Sequence, residues 1–167
     1  TAIDPAPDEA IARAAALLAD AKRPVAVLGS TAMRMADHAL LRRFVEHHNL
    51  PFAVTTMAKG LIDDDHPLAL GCIERGRRQH QRALLHSVDL IVGVGYDTIE
   101  VEYEAWIGDV PLLQIDMDPV DVAPSVKLQH QVTGDLASSL DRLCAAGPGG
   151  SGWTEQDVAG HGKAFQE

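Results

Sequence analysis

The sequence is poor in several features that would otherwise direct a functional reading. No apolar run approaches the roughly 20 residues that a membrane-spanning helix needs, and no signal peptide opens the chain. A membrane partner is therefore not expected, and the expected compartment is the cytoplasm. Cysteine is scarce: Cys72 and Cys144 lie far apart, outside any Cys-x-x-Cys spacing, and read as buried or idle thiols in a reducing compartment. Positive charge is in deficit, with 14 Lys and Arg against 24 Asp and Glu, a formal net charge of -10. A surface that acidic repels phosphate backbones, which argues against nucleic acid as a partner. No Ser-His-Asp or Cys-His arrangement can be assigned from spacing, and there are no internal repeats. An initiating methionine is missing too, which suits a segment of a longer protein.

What is present is an ordinary globular composition. The 167 residues are 46% hydrophobic and 23% charged, enough for one domain with a core and too short for two. Asp8 to Ala21 reads as an amphipathic helix that Asp8 can cap, with Ile11, Ala14, Ala15, Leu18 and Ala21 at helical spacing and Pro24 as its stop. Val25-Ala26-Val27-Leu28-Gly29 follows, a short apolar run that suits a strand buried on both faces. The alternation then repeats. Asp37 to His48 is a second helix with Leu40, Leu41, Phe44 and Val45 on one face. Asn49-Leu50-Pro51 turns the chain into the strand Phe52 to Thr55. The stretch from Lys59 to Pro67 reads as loop or short turns, and Gln79 to Ser87 as helix. Asp89 to Gly95 is the clearest strand, Pro111 to Asp116 another, His130 to Thr133 a short last one, and Asp135 to Ala146 a helix capped by Asp135. Five or six strands alternating with helices predict an α/β fold, a doubly wound, mostly parallel sheet with helices on both faces, Rossmann-like. Residues 147–152 are glycine-rich and predict a flexible linker, and 153–167 read as the lead-in to a further domain.

Three ordered segments carry a family resemblance. They are Ala21 to Gly29; Leu50 to Thr56 with Lys59-Gly60, Asp65-His66-Pro67 and Gly71; and Val88 to Gly95 with Gln114 to Pro119 and Gly134-Asp135. In this order and spacing, residues 5–146 resemble the central domain of thiamine-diphosphate enzymes such as acetolactate synthase, pyruvate oxidase and oxalyl-CoA decarboxylase. The resemblance implies a parent enzyme of three α/β domains, dimeric or tetrameric, with this domain between those that grip the cofactor's pyrimidine and its diphosphate. It also implies thiamine diphosphate and magnesium in the parent, held by a catalytic glutamate and a Gly-Asp-Gly motif that lie elsewhere. Gly134-Asp135-Leu136 lacks the second glycine, so no catalytic residue and no metal site are expected in this chain.

Central domains of this family hold FAD, ADP or nothing. Nucleotide binding requires glycine-rich turns after strands, so that backbone N–H groups approach a pyrophosphate. The first such turn, Gly29-Ser30-Thr31-Ala32, offers one glycine where the FAD-binding synthases carry several. The second, Gly93 to Glu100, resembles the Gly-Tyr-Asp-x-x-Glu of catabolic acetolactate synthases, which work without FAD. Neither makes Gly-x-Gly-x-x-Gly, so the NAD fingerprint is absent. The candidate nucleotide contacts are Gly29, Ser30, Thr55, Lys59, Gly60, Gly95 and Asp116, the last placed to accept from a ribose hydroxyl. The plainer alternative is that Thr55 and Asp116 end strands and start turns, and it is preferred.

Arg75, Arg77, Arg78 and Arg82 with His80 form a basic cluster, either a phosphate site or, as preferred, a contact to a neighbouring domain or subunit or a solvated helix face. Asp63-Asp64-Asp65-His66 is read as a turn rather than a metal site, and His47-His48 as charge at a helix C-terminus. The acidic, aromatic run from Tyr96 to Trp106 is expected at a domain interface. A second functional reading is a free-standing nucleotide-dependent enzyme of the same fold, such as a sirtuin-like deacylase, although the Gly-Ala-Gly turn and catalytic histidine motif it would need are not visible.

Overall fold

The structure is a computed structural model, and the residues described are 3–73, 78–96, 109–119 and 126–166, with backbone alone at 78, 79 and 166. Six strands form one parallel sheet: β1 (Pro24–Leu28), β2 (Phe52–Val54), β3 (Ala69–Cys72), β4 (Leu90–Val94), β5 (Leu112–Asp116) and β6 (Leu128–Thr133), in the spatial order β3-β2-β1-β4-β5-β6. Every residue of β1, β4 and β5 is buried, which is why these runs are apolar without alternation. The edge strands β3 and β6 are only partly covered. The helices are α1 (Asp8–Asp20), α2 (Ala39–His48), α3 (Arg78–Ser87), α4 (Leu136–Ala145) and α5 (Glu155–Gln166). The connection through α2 moves one way along the sheet and that through α3 moves back across β1. With right-handed crossovers, these two helices therefore take opposite faces. α1 packs on β6 and α4, α2 on α4, and α5 on β3 and α3. The expected doubly wound α/β fold is the one observed.

Strand β3 falls between the expected loop ending at Pro67 and the helix expected from Gln79, where no element was expected. It is four residues long, follows Pro67, contains Gly71 and pairs with β2 through a register irregularity, so no periodic signal marks it. The cap of α1 also differs. Pro7 takes the N-cap position, its carbonyl accepting from Ala10 and Ile11, and Asp8 is already helical. The Asp8 carboxylate instead accepts from Arg142, whose other guanidinium nitrogen reaches the Ala6 carbonyl. Asp135 caps α4 as expected, its side chain accepting from the Ser138 amide at 3.0 Å, a bond of the kind that stabilises by about 1 kcal/mol. Asp89 lies just before β4, and its carboxylate accepts from the amides of Lys22 and Arg23 at 2.8 and 3.0 Å, tying the α1–β1 turn to the neighbouring strand.

The two histidines ending α2 reach carbonyls at the end of α4. His48 is 2% exposed, with Nε2 2.9 Å from the Leu143 carbonyl, and His47 Nε2 is 2.7 Å from the Ala146 carbonyl. A carbonyl can only accept, so both rings donate, and together they cap the C-terminus of α4. Asn49 then ends α2 at φ 51, a left-handed conformation that asparagine tolerates.

The glycine-rich run 147–152 is held against the body. Gly150 donates to the Leu18 carbonyl and Gly152 to the Lys22 carbonyl, at 2.9 and 2.8 Å. Asn49 Nδ2 donates to the Trp153 carbonyl, and Ser151 Oγ donates to the Asn49 carbonyl. A Cβ on Gly150 would overlap the Ala19 carbonyl, so glycine serves close approach at this point. Beyond it, Trp153 is 6% exposed and donates from Nε1 to the Pro24 carbonyl at 2.8 Å, with the Arg23 guanidinium 3.9 Å over its ring. Phe165 and Val158 of α5 join the core. Trp153→Ala is expected to cost about 3–5 kcal/mol by cavity formation and loss of the Pro24 bond. Urea unfolding followed by far-UV circular dichroism measures it, and an unchanged midpoint would contradict this packing.

Candidate functional site

In an open parallel sheet, strand carboxyl ends and the following loops converge at the point where strand order reverses. Here that point lies between β1 and β4. Gly29 follows β1 and leads into a 3-10 turn, Ser30–Arg34; Gly95 follows β4. Thr55 follows β2 and leads into the 3-10 turn Thr56–Ala58, with exposed Lys59 and Gly60 immediately after, and Asp116 ends β5. All seven candidate nucleotide contacts therefore lie along one edge of the sheet, over the four adjacent strands β2, β1, β4 and β5. The two 3-10 turns pack on one another.

Gly29 and Gly95 meet directly, and Ser30 opens the turn beside them. The Gly29 amide donates to the Val94 carbonyl at 3.0 Å, and the Thr31 amide donates to the Gly95 carbonyl at 3.1 Å. A Cβ on Gly29 would overlap Gly95 O and Tyr96 Cα, while one on Gly95, at φ +58, would overlap the Ala32 amide nitrogen. These glycines thus let two loops touch each other. Their close approach is backbone to backbone, and the N–H of Thr31, second in the turn, is already used.

Thr55 is held in place by its amide, which donates to the Leu28 carbonyl at 3.0 Å, and its own carbonyl accepts from Ala58. Its side chain is fully buried, and Oγ1 has no hydrogen-bond partner among the described residues. Asp116 is 6% exposed; Oδ1 accepts from the Met117 amide at 2.6 Å and Oδ2 from Gln114 Nε2 at 3.3 Å. Burial pushes the Asp116 carboxyl above its ordinary range, against the pull of the Met117 and Gln114 bonds. Gln114 was not among the expected residues. Its Nε2 also donates to the Tyr96 carbonyl at 2.8 Å, joining the β4 and β5 ends, and the signal for it was a single amide inside an otherwise apolar strand. Tyr96, expected at an interface, is 1% exposed and belongs to the core. The rest of that acidic, aromatic run, and with it the Gly-Tyr-Asp-x-x-Glu resemblance beyond Tyr96, lies outside the described residues.

Arg75, Arg77 and the Arg78 side chain also lie outside them, whereas His80 is exposed and Arg82 half-buried on α3. His66 sits in a turn closed by its own carbonyl and the Ala69 amide. Its Nδ1 accepts from Leu68, and Nε2 donates to Glu46 at 3.0 Å. That bond, with help from Arg42, holds the Glu46 carboxyl below its usual range. A shallow cavity of about 220 Å³, lined by Leu17, Asp89, Leu90 and Pro111 among others, opens at the opposite, amino edge of the sheet. None of the candidate residues lines it. No helix among the described residues is long and apolar enough to cross a membrane.

Two substitutions test this geometry. Thr55→Val removes a buried hydroxyl that lacks a partner and is expected to raise stability by about 1 kcal/mol, read as a higher urea midpoint; a fall of that size would mean that the hydroxyl is bonded. Asp116→Asn tests the raised carboxyl. The contribution of a raised group is fully present below its unfolded value of about 3.9 and is lost as pH rises through the folded value. The wild type should therefore lose stability relative to Asp116→Asn as pH rises past the unfolded value of about 3.9, measured by urea unfolding at each pH, and a constant difference would contradict the shift.

The family model of the thiamine pyrophosphate enzyme central domain matches residues 11–143. A probable acetolactate synthase large subunit of Methanococcus aeolicus is 29% identical over 136 residues, covering 80% of this chain and 23% of the relative. Oxalyl-CoA decarboxylase of Escherichia coli K12 is 29% identical over 140 residues, 82% of this chain and 24% of the relative. Acetolactate synthase of Bacillus subtilis is 28% identical over 144 residues, 84% and 25%. The chain thus spans about a quarter of the length of these relatives. With the sheet order, the reversal at β1 and β4 and a match over most of its length, this chain belongs to the thiamine pyrophosphate enzyme central-domain family.

Proposed function

We propose that this chain is the non-catalytic central domain of a thiamine-diphosphate-dependent enzyme that acts on a 2-oxo acid, spacing the flanking pyrimidine- and diphosphate-binding domains and contributing to a homodimer or homotetramer. One observation carries the scaffold reading: the glycines at the strand reversal are consumed by contact between the β1 and β4 loops. The sequence supports it as well, because Asp135, in the position most like a magnesium motif, is followed by Leu136 and caps α4. In the parent, thiamine diphosphate and magnesium would be held by residues beyond this chain, with the cofactor supplying the carbanion chemistry. Residues 153–167 would lead toward the next domain, and the Arg75–Arg82 cluster would face a neighbouring domain or subunit.

A second reading keeps a nucleotide, ADP or FAD, at Gly29, Ser30, Thr55, Lys59, Gly60, Gly95 and Asp116. The unpartnered Thr55 hydroxyl favours it, since a ligand could supply the missing bond. Calorimetric titration of the 167-residue chain separates these readings. The scaffold reading expects no saturable binding of thiamine diphosphate with magnesium, of ADP, of FAD or of NAD. Tight thiamine diphosphate binding would place the cofactor site here and overturn the proposal. Saturable ADP or FAD binding that Thr55→Val weakens would establish the second reading, and saturable micromolar NAD binding would favour a free-standing nucleotide-dependent enzyme.

A further inference from the structure

His48 sits where α2, α4, the end of α1 and the glycine-rich run meet. Because Nε2 donates to the Leu143 carbonyl, Nδ1 is the bare nitrogen of the neutral ring. Nδ1 is buried and has no hydrogen-bond partner among the described residues. It faces Gly149: a Cβ built there would stand 3.3 Å from Nδ1 and 3.0 Å from the Leu18 carbonyl. The ring is fixed on its own helix by edge contacts with Phe44 and His47, at centroid distances of 5.3 and 4.7 Å. A proton on Nδ1 would create a buried charge and a buried donor with no acceptor, the costliest kind of unpaired group. Of the surrounding elements, the glycine-rich run yields most cheaply. It contributes only glycines, a proline and a serine between 147 and 152, and among its anchors are the Gly150, Gly152, Ser151 and Trp153 bonds.

We propose that His48 is a proton-operated latch on this run: when Nδ1 takes a proton, residues 147–153 leave the domain body and water reaches the imidazolium. The ionisable groups on the elements around it are His47, Arg42, Arg43 and Glu46 on α2, Asp141, Arg142 and Cys144 on α4, and Asp20 and Lys22 at the end of α1. Arg43 and Asp141 pair with each other at the surface, 2.9 Å apart. Arg142 is taken by Asp8, and Glu46 by Arg42 and His66. Burial opposes protonation of His48 most strongly and His47 adds to it, against the bond to the Leu143 carbonyl, which favours the charged ring. A lowered imidazole keeps its neutral form in the folded state. The closed arrangement is therefore fully favoured above the unfolded value of about 6.5 and weakens as pH falls below it. Release of the run would also free Trp153 from the Pro24 carbonyl and loosen the anchorage of α5 on β3.

Amide hydrogen exchange of the 167-residue chain, read residue by residue by NMR and corrected for intrinsic rates, tests the latch. From about pH 7.5 to about pH 5, protection of the Gly150 and Gly152 amides is expected to fall by about tenfold or more, while Ile91 and Gly95 in the sheet keep theirs. In His48→Gln, whose amide can still donate to Leu143, protection of the run should not change with pH. The proposal is overturned if His48→Gln keeps the pH dependence, or if the sheet amides lose protection in step with the run, which is global opening. Should His48→Gln fail to fold, titration of the His48 ring signals in the wild type decides. A midpoint coinciding with loss of protection supports the latch, and a midpoint separate from it overturns it.

Discussion

Burial of the three central strands on both faces is the constraint from which the rest follows. With β1, β4 and β5 enclosed, their N–H and C=O groups must pair in the parallel ladder, and their side chains must be apolar or bonded to one another. Polar chemistry is thereby driven to the strand ends. Gln114 and Asp116 are the exceptions that illustrate the rule. They occur in the last three residues of β5, where Gln114 Nε2 donates both to Asp116 and across to the end of β4, while Gln114 Oε1 has no partner among the described residues. The same enclosure raises the Asp116 carboxyl, since a charge there is only partly solvated by two donors.

The carboxyl edge produced in this way has the layout of a nucleotide site and spends its main resource internally. Glycines after β1 and β4 are what a pyrophosphate would require, and here each occupies the space that the other leaves open. A loop contact of this sort stiffens the middle of the sheet, in keeping with the scaffold role proposed above. Thr55 Oγ1 and Gln114 Oε1 are buried along this edge with no hydrogen-bond partner among the described residues.

At the amino edge the chain is tied by different means. The run after α4 passes the end of α1, and Trp153 docks on the first residue of β1 before α5 reaches β3. Elements from the two halves of the sheet are thus joined by the segment between α4 and α5. His47 and His48 stand at its root, capping the carbonyls from which it departs. In the proposed latch, a buried imidazole against this segment couples the segment's attachment to proton concentration through desolvation.

The sequence by itself determined the class of fold, because a strand buried on both faces has to be an apolar run and the intervening amphipathic helices have to show their period. The runs at Val25, Asp89 and Pro111, the helix faces at Ile11 and Leu40, and the Asp135 cap were all legible for that reason, and so was the family. Strand β3 was not legible, because four residues containing a glycine and pairing irregularly carry no period. Nor was the cap of α1 legible, where Arg142 from far along the chain claims Asp8. Only the tertiary structure decided what the site residues do. Composition made the glycines of 147–152 look flexible and those at 29 and 95 look available to a ligand. Whether a glycine confers freedom, ligand access or close packing depends on what occupies the space beside its Cα, and that neighbour is set by the fold. The same holds for His48, whose ring chemistry depends on the carbonyl of Leu143 and the glycine at 149, both about a hundred residues away.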